Sequence, residues 1–278
     1  MSNKKVWIVT GASSGLGLAT VKQLLKHGYR VAATSRNAEE LAKEVGDSTG
    51  KFLPLAVQVT DEASVKEGIE KVLEKFGRLD VTVNNAGYAL LGSIEELTDK
   101  EIRDNYDVNV FGIMNVTRAV MPVYRKQQSG YFINIASISG SVTGPGLSIY
   151  SATKAAVIMM TEAIDDEGGD FGVRATAVCP GGFKTNFLSG RSAKMAQNPI
   201  ADYQLVRQAE KQYGRLNQNQ GGDPDKAALA FIQLAESSNP PKRIYLGSDG
   251  YGGAEYKLQF VAREMAHWQQ LSRSTDFD

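Results

Sequence analysis

Short runs of apolar residues alternate along this chain with longer segments in which apolar residues recur every three or four positions. The first run is Val6–Val9, and the segment after it carries Leu18, Val21 and Leu24 at helical spacing. Apolar runs of this length are typical of buried strands, whereas the three-to-four spacing is typical of helices with one buried face. The opening of the chain therefore predicts a strand, a turn and a helix.

The same alternation continues through most of the chain. Six further strands are predicted, at Arg30–Ser35, Phe52–Val59, Leu79–Val83, Tyr131–Ala136, Val173–Val178 and Arg243–Leu246. Five helices are predicted between them, at Ala38–Val45, Glu62–Phe76, Thr98 or Asp99 to Arg125, Ser148–Glu167 and Asp223–Glu236. Repeated strand–helix units predict an α/β fold in which helices cover both faces of a parallel sheet. No repeat or linker divides the chain, so we expect a single domain over residues 1–278.

Two segments depart from this alternation. Residues 181–222 contain many Gly, Ser, Asn and Gln with scattered apolar residues, and no strand is predicted there. A connection of this length in a compact domain is usually a lid or a binding segment, and a disordered insertion is the alternative. Residues 251–278 form an extension that is amphipathic to about Leu271, which predicts a position at the surface or at an interface.

Composition and charge narrow the possible functions. Lys and Arg together number 31, as do Asp and Glu, so the net charge is zero and no nucleic-acid partner is expected. Cys179 is the only cysteine and the two histidines are far apart, so neither a disulfide nor a metal site is predicted. No apolar run approaches the length of a membrane span and no signal peptide is visible. We therefore expect a cytoplasmic protein with no membrane partner.

Three glycines, Gly11, Gly15 and Gly17, lie between the first strand and the first helix. Gly11 permits a tight turn, Gly15 lets the backbone approach a diphosphate, and Gly17 lets the helix pack close to its strand. The free N–H groups at the start of that helix would face the phosphates. This turn predicts a nucleotide site, although any tight strand–helix turn favours glycine.

Tyr150 and Lys154 are four residues apart at the start of a predicted helix, so their side chains lie on one face. A free phenol has a pKa of about 10, and a nearby ammonium group would lower it towards the working range. Such a pair can transfer a proton to or from an alcohol oxygen. Surface tyrosine–lysine pairs are also common, so the neighbouring segments must decide between the two interpretations.

Four predicted strands end in small or polar residues: the glycine turn, Asn84–Gly87, Ser137 and Pro180-Gly181. Ligands of parallel sheets bind beyond the carboxyl ends of the strands, so these segments are expected to meet at one crevice. Asn109 lies in an otherwise apolar turn of the long helix and needs a polar partner. It is either a satisfied core amide or part of the site.

These motifs resemble those of the short-chain dehydrogenase/reductase family. They are Thr10-Gly-x-x-x-Gly-x-Gly17, Asn84-Asn-Ala-Gly87, Ser137, Tyr150-x-x-x-Lys154 and Pro180-Gly-x-x-x-Thr185, in the family's order and spanning about residues 5–250. The glycine spacing is similar to that of the shorter reductases. The resemblance implies a single-domain Rossmann-type, doubly wound parallel sheet of about seven strands in the order 3-2-1-4-5-6-7.

The resemblance also implies roles for individual residues. Tyr150 would donate the proton in carbonyl reduction, Lys154 would lower its pKa and bind the nicotinamide ribose, and Ser137 would donate to the substrate oxygen. Asn109 would hold a water that links Lys154 to solvent. The implied cofactor-binding residues are Gly11, Ser13, Ser14, Gly15, Leu16, Gly17, Arg36, Gln58, Val59, Asn85, Ala86, Gly87, Tyr150, Lys154, Pro180, Gly181, Phe183 and Thr185.

Cofactor choice is expected to depend on the end of the second strand. Relatives that prefer NAD carry an acid there, whereas this chain has Ser35 followed by Arg36. A guanidinium suits a 2′-phosphate, so NADP(H) is expected over NAD(H); an ordinary exposed charge is the alternative. The third strand ends in Gln58-Val59, where the family usually has Asp-Val, so the adenine contact would lack a charge.

The expected function is the reversible NADPH-dependent reduction of a hydrophobic ketone or aldehyde to an alcohol. The residues expected in the substrate pocket are Leu90, Leu91, Ser139, Val142, Leu147, Phe187 and Leu188. The alternative is a non-catalytic NADP(H)-binding sensor on the same fold, which would have no need of a tuned Tyr–Lys pair. Family members commonly assemble through their long helices, so a homodimer or homotetramer is expected.

Overall fold

Seven parallel strands make up the central sheet of the computed structural model, which describes residues 4–46, 49–189 and 192–277. Its strands are β1 (Val6–Val9), β2 (Arg30–Ser35), β3 (Phe52–Ala56), β4 (Val81–Asn84), β6 (Gly130–Ile135), β7 (Val173–Pro180) and β9 (Arg243–Leu246). A second, two-stranded sheet contains β5 (Ala89–Leu91) and β8 (Ala193–Met195). The large sheet has the order β3-β2-β1-β4-β6-β7-β9. Counted within that sheet, this is the predicted order 3-2-1-4-5-6-7, which is confirmed.

Most of the helices connect strands of the large sheet, and the last two follow its final strand in the chain. The helices are α1 (Gly15–Lys26), α2 (Ala38–Val45), α3 (Glu62–Phe76), α4 (Asp99–Tyr106), α5 (Gly112–Gln127), α6 (Ser148–Gly168), α7 (Gln204–Leu216), α8 (Pro224–Glu236), α9 (Ser248–His267) and α10 (Gln269–Arg273). Side-chain caps explain several of the starts. Asp61 accepts hydrogen bonds from the backbone of Ala63 and Ser64, and Thr98 forms a capping box with Glu101.

Both faces of the sheet are buried, which makes the fold doubly wound. Trp7 belongs to an apolar cluster with Phe231 of α8, while its neighbour Ile8 belongs to a cluster with Val72 of α3 and Val120 of α5. Successive side chains of a strand point to opposite faces, so an uninterrupted apolar run requires helices on both sides. The predicted α/β fold with two helical layers is confirmed.

The long helix predicted from residue 98 or 99 to 125 is interrupted. A π-helical turn, Asp107–Phe111, separates α4 from α5. Such a turn inserts one residue into the helix, which the apolar spacing does not reveal. Asn109 lies within this turn, and its Nδ2 donates to the carbonyl of Tyr88, four residues after the end of β4.

The segment 181–222 is more regular than the sequence predicts. The expectation of no strand is wrong, because β8 pairs in parallel with β5, with Leu90 opposite Lys194. The segment also contains α7. A three-residue strand has too few positions for a period-two pattern, and its pairing depends on a distant segment, so the sequence alone did not reveal it. Residues 190 and 191 of this segment lie outside the described residues.

The C-terminal extension folds as α9 and α10. Only the root of α9 is buried, at Gly250 and Ala254, and every residue from Leu258 to Phe277 is exposed. The surface position expected for this amphipathic extension therefore agrees with the structure. In the part of the chain that the structure describes, no helix has both the length and the apolar character needed to cross a bilayer.

Candidate active site

A cavity of about 810 Å³ lies along the carboxyl edge of the sheet. At one end it is lined by the glycine turn, by Thr34–Arg36 and by Val57–Thr60; at the other end it reaches Ser137 and Tyr150. The predicted cofactor residues that line it are Gly11, Ser13, Ser14, Gly15, Leu16, Arg36, Gln58, Val59, Asn85, Ala86, Gly87, Tyr150, Lys154, Pro180, Gly181, Phe183 and Thr185. The folded chain thus brings together predicted residues from Gly11 to Thr185, which lie far apart in the sequence.

Gly11 and Gly15 both have positive φ angles, +62° and +57°, which other residues rarely adopt. A Cβ at Gly11 would also lie 2.7 Å from the Cα of Ala86. Gly17 does not line the cavity: a Cβ there would lie 2.5 Å from the Nδ2 of Asn85, so this glycine permits close packing behind the turn.

Asn85 holds the glycine turn against β4. Its Nδ2 donates to the carbonyl oxygens of Thr10 and Gly11, at 3.0 and 2.9 Å, and its backbone N–H donates to the Thr10 hydroxyl at 3.0 Å. At the start of α1, Ser14 makes no side-chain cap within the described residues. The first N–H groups of this helix therefore remain available to an anion at its positive end.

Tyr150, Lys154 and Ser137 are all buried at the floor of the cavity. The Nζ of Lys154 donates to the carbonyl oxygen of Ile135 at 2.8 Å and lies 5.8 Å from the centre of the Tyr150 ring. Burial lowers the pKa of Lys154 to about 8. Burial raises the pKa of Tyr150 to about 12, although a hydrogen bond with Ser137 works in the opposite direction.

The neighbouring lysine was expected to lower the pKa of Tyr150, but in the folded protein this pKa is raised instead. Desolvation disfavours the phenolate more strongly than the surrounding groups favour it. The raised pKa keeps the phenol protonated at neutral pH, as a proton donor must be.

Asn109 is fully buried and its amide is engaged on both sides. Its Nδ2 donates to the Tyr88 carbonyl at 3.0 Å and to the Thr153 hydroxyl at 3.2 Å, and its Oδ1 accepts from the Tyr88 N–H at 3.0 Å. It does not line the cavity. A Cβ at Gly87 would lie 3.0 Å from the Asn109 Oδ1 and 3.4 Å from the Lys154 Nζ, so the amide adjoins the lysine. The water relay through Asn109 stays a prediction.

The far end of the cavity carries the residues expected to choose the cofactor. The Ser35 hydroxyl donates to the carbonyl of Asn37 at 2.5 Å and accepts from its N–H at 3.1 Å, which shapes the turn. The Arg36 side chain is exposed, lines the cavity, and forms no ion pair with the described residues. The Gln58 amide nitrogen donates to the Thr60 hydroxyl at 3.0 Å. Arg36 is therefore available to a ligand phosphate.

An apolar chamber surrounds Tyr150 at the other end. Leu91, Leu147, Phe187 and Tyr213 pack around it, with 6.3 Å between the ring centres of Tyr150 and Phe187. Of the predicted pocket residues, those that line the cavity are Leu91, Ser139, Leu147, Phe187 and Leu188.

Leu90 and Val142 were also expected in this pocket, and neither lines the cavity. Leu90 faces the opposite side of β5 from Leu91, because side chains alternate along a strand, and packs with Leu97 and Ala196. Val142 lies beside α9, where its Cγ2 would be 4.0 Å from a Cβ at Gly253.

Among the cavity residues missed from the sequence are Tyr213, Lys194 and Asp249. Tyr213 and Lys194 lie in the segment whose helix and strand were not predicted; the spacing of Val206 and Tyr213, seven residues apart, was the available signal. Asp249 has no such signal. Its Oδ2 accepts from the Gly182 N–H at 2.7 Å, so the root of α9 fixes the turn after β7.

Comparison with known proteins agrees with this geometry. The family model for short chain dehydrogenases matches residues 5–196. The chain belongs to this short-chain dehydrogenase family. Among its curated relatives are the oxidoreductase BOA17 of Botryotinia fuckeliana, 31% identical over 96% of this chain and 98% of the relative, and the 3-ketodihydrosphingosine reductase of Bacteroides thetaiotaomicron, 33% identical over 87% and 88%.

Solved structures of other proteins, among them a short-chain dehydrogenase, share the fold. One from Streptomyces avermitilis superposes with a TM-score of 0.90 at 36% identity, over 98% of this chain and 100% of that chain. The 3-ketoacyl-(acyl-carrier-protein) reductase of Brucella melitensis, complexed with NADH, has a TM-score of 0.73 at 27% identity, covering 91% and 100%. ElxO with NADP bound has a TM-score of 0.72 at 28% identity, covering 89% and 98%. These relatives support an oxidoreductase with a nicotinamide cofactor.

Proposed function

We propose that this short-chain dehydrogenase uses NADPH to reduce a hydrophobic ketone or aldehyde to an alcohol. The observation that carries the proposal is one continuous cavity with Arg36 and the glycine turn at one end and the buried Tyr150 at the other. A dinucleotide needs a phosphate site and a reaction site within one crevice, and the carboxyl edge of a doubly wound sheet supplies both.

The residues present suit such a cofactor. The uncapped start of α1 and the positive-φ glycines Gly11 and Gly15 form a backbone cradle for the diphosphate. Arg36 would pair with the 2′-phosphate, and Lys154 would bind the nicotinamide ribose. The nicotinamide ring supplies the hydride of the reaction.

The protein's own residues supply the proton. The carbonyl oxygen of the substrate would accept hydrogen bonds from Ser137 and Tyr150, which both line the cavity. As negative charge develops on that oxygen, the Tyr150 phenol transfers its proton to it. The nearby Lys154 ammonium stabilises the phenolate that remains, because the attraction between the two charges is strong in a site from which water is excluded.

The chamber indicates the class of substrate. Leu91, Leu147 and Phe187 offer apolar surface beside the tyrosine, and Tyr213 closes the side formed by α7. An apolar chamber with few polar groups favours a hydrophobic carbonyl compound. The reductase relatives named above act on 3-keto compounds by their names, which supports a ketone as the reacting group.

A panel of hydrophobic ketones and aldehydes, monitored by the loss of NADPH absorbance, tests the proposal. We expect turnover with at least one of them and a loss of at least about a hundredfold in Tyr150→Phe, because positioned acid catalysis contributes about 10²–10⁴. Tyr213→Phe, the same change in the same chamber, should retain most of the rate. NADPH binding without turnover across the panel would instead favour the sensor, and an active Tyr150→Phe would overturn the role of the phenol.

A further inference from the structure

Helix α9 and the residue after it carry an apolar stripe that the rest of the chain covers only at its root. The stripe consists of Tyr251, Ala254, Leu258, Val261, Met265 and Trp268. Successive members are three, four, three, four and three residues apart, which is the spacing of a coiled-coil seam. Ala254 is buried at the root, whereas Leu258, Met265 and Trp268 are 70, 68 and 53% exposed.

Because most of this helix is exposed, we expect it to pack against a partner. Every residue from Leu258 to Phe277 is exposed, so packing on its own chain does not stabilise this part of α9. Most helical stability in proteins comes from packing of an apolar face, and an isolated helix of this length is marginal in water. Five large exposed apolar side chains share this stripe, while Tyr256 and Phe260 are exposed outside it. A contiguous apolar surface of this kind marks an interaction site.

The charges beside the stripe indicate which partner fits. Lys257 and Glu264 flank the same side of the seam, seven residues apart, and neither forms an ion pair within the described residues. In an antiparallel pair of identical helices these flanking positions face one another. A pair centred between Gln259 and Phe260 places Lys257 of one copy beside Glu264 of the other, twice by symmetry.

The same register matches the apolar residues. Leu258 of one copy packs against Val261 of the other, and Tyr251 packs against Trp268. A parallel pair would instead place Lys257 beside Ala262 and leave both charges unmatched. A two-fold interface is self-complementary, and this stripe complements itself in one direction only.

We propose that α9 is a self-association arm, through which two copies of this chain pair as antiparallel helices. The inference does not depend on the proposed reaction, because it rests on the exposed helix alone. It also differs from assembly through the long helices α5 and α6, which lie elsewhere on the domain.

Sedimentation velocity of the full chain tests the arm. We expect the wild type to sediment as a species of at least two chains. Leu258→Glu should sediment as a species of half that mass, and its dissociation constant for self-association should be at least about tenfold higher. Arg263→Glu, on the outer face of the same helix, should leave the wild-type species unchanged. Far-UV circular dichroism and thermal unfolding should show that the domain of each variant remains folded.

Charge reversal tests the direction of pairing. Lys257→Glu and Glu264→Lys should each weaken association, since each places like charges together at both ends of the pair. Mixing the two variants should restore it, because a heterodimer has opposite charges at both positions. A single-chain wild type, an unaffected Leu258→Glu, or charge variants that behave like Arg263→Glu would each overturn the proposal.

Discussion

The guanidinium of Arg207 donates to the carboxylate of Glu96, with 2.6 Å between Nη2 and Oε1. The Glu96 side chain is fully buried and also accepts from the backbone N–H groups of Ser93 and Ile200, both at 2.7 Å. Burial acts to raise the pKa of Glu96, but these donors outweigh it and hold the pKa below its usual value. The pair fixes α7, and with it Tyr213, to the segment before α4.

Arg207→Met should loosen this wall of the substrate chamber. Removing one partner of a buried pair leaves a buried charge uncompensated, which costs about 3–5 kcal/mol when burial is complete. Since Arg207 is 25% exposed and Glu96 keeps two backbone donors, we expect about 2 kcal/mol in the free energy of unfolding. The KM for a bulky ketone should rise, while NADPH affinity stays the same.

Arg103→Met is the matched control, because it breaks an ion pair with Asp99 in which both side chains are about three-quarters exposed. Exposed pairs contribute little, so its stability and KM should match the wild type. Equal effects of the two substitutions, or an equal loss of NADPH affinity in Arg207→Met, would contradict a specific role of the buried pair in positioning α7.

Residues 183–222 are expected to be the most mobile ordered part of the chain and to close over substrate. Phe187, Tyr213 and Leu216 of this segment line the cavity. The ion pair between Arg207 and Glu96 anchors the middle of the segment to the rest of the domain. Hydrogen exchange should therefore be fast on either side of Arg207 and should slow when NADP⁺ and the alcohol product are both bound. Unchanged exchange with ligands would exclude closure.

The lowered pKa of Lys154 predicts that the stability of the folded protein changes with pH. This pKa falls from 10.5 unfolded to about 8 folded, so the unfolded chain binds more protons between these values and stability rises with pH there. Between pH 7 and about pH 9.5, wild type should gain about 2 kcal/mol in the free energy of unfolding relative to Lys154→Met. Urea unfolding at both pH values measures this difference. Exposed Lys126→Met is the control, and a difference that does not change with pH would contradict the lowered pKa.

Arg36 is expected to determine cofactor preference. Hydrogen bonds to charged groups contribute about 1.5–3 kcal/mol, or roughly 10–150-fold in affinity, and only NADPH offers the 2′-phosphate. Arg36→Ala should weaken NADPH by most of that factor and leave NADH nearly unchanged. Ser35→Asp should shift the preference towards NADH, because a carboxylate repels the phosphate and accepts from the ribose hydroxyls.

Dissociation constants for both cofactors at one salt concentration measure these effects. Lys43→Ala removes a positive charge from α2, the helix that begins two residues after Arg36, at a residue that does not line the cavity. It should change neither constant. The predicted preference for NADPH would be wrong if the wild type bound NADH as tightly as NADPH. It would also be wrong if Arg36→Ala weakened the binding of both cofactors alike.

The alternation of apolar runs and helical spacing was sufficient to predict the large sheet. The structure gives five elements their predicted bounds: Val6–Val9, Arg30–Ser35, Ala38–Val45, Glu62–Phe76 and Arg243–Leu246. The strand order also follows the predicted one. Local patterns suffice here because the central strands are buried on both faces and the helices that cover the sheet on one face. The burial of these residues therefore follows a short-range pattern in the sequence.

The motifs in the sequence likewise identified the family and the edge of the sheet where Ser137, Tyr150 and Lys154 meet. The tertiary structure alone decided what surrounds them. β8 is a strand because it forms hydrogen bonds with β5, which is distant in the sequence. Tyr213 and Asp249 line the cavity but belong to segments far along the chain. The sequence predicted a lowered pKa for Tyr150, but the pKa is raised in the folded protein, because burial removes water from the phenol. The distant segments that enclose the phenol have no local pattern.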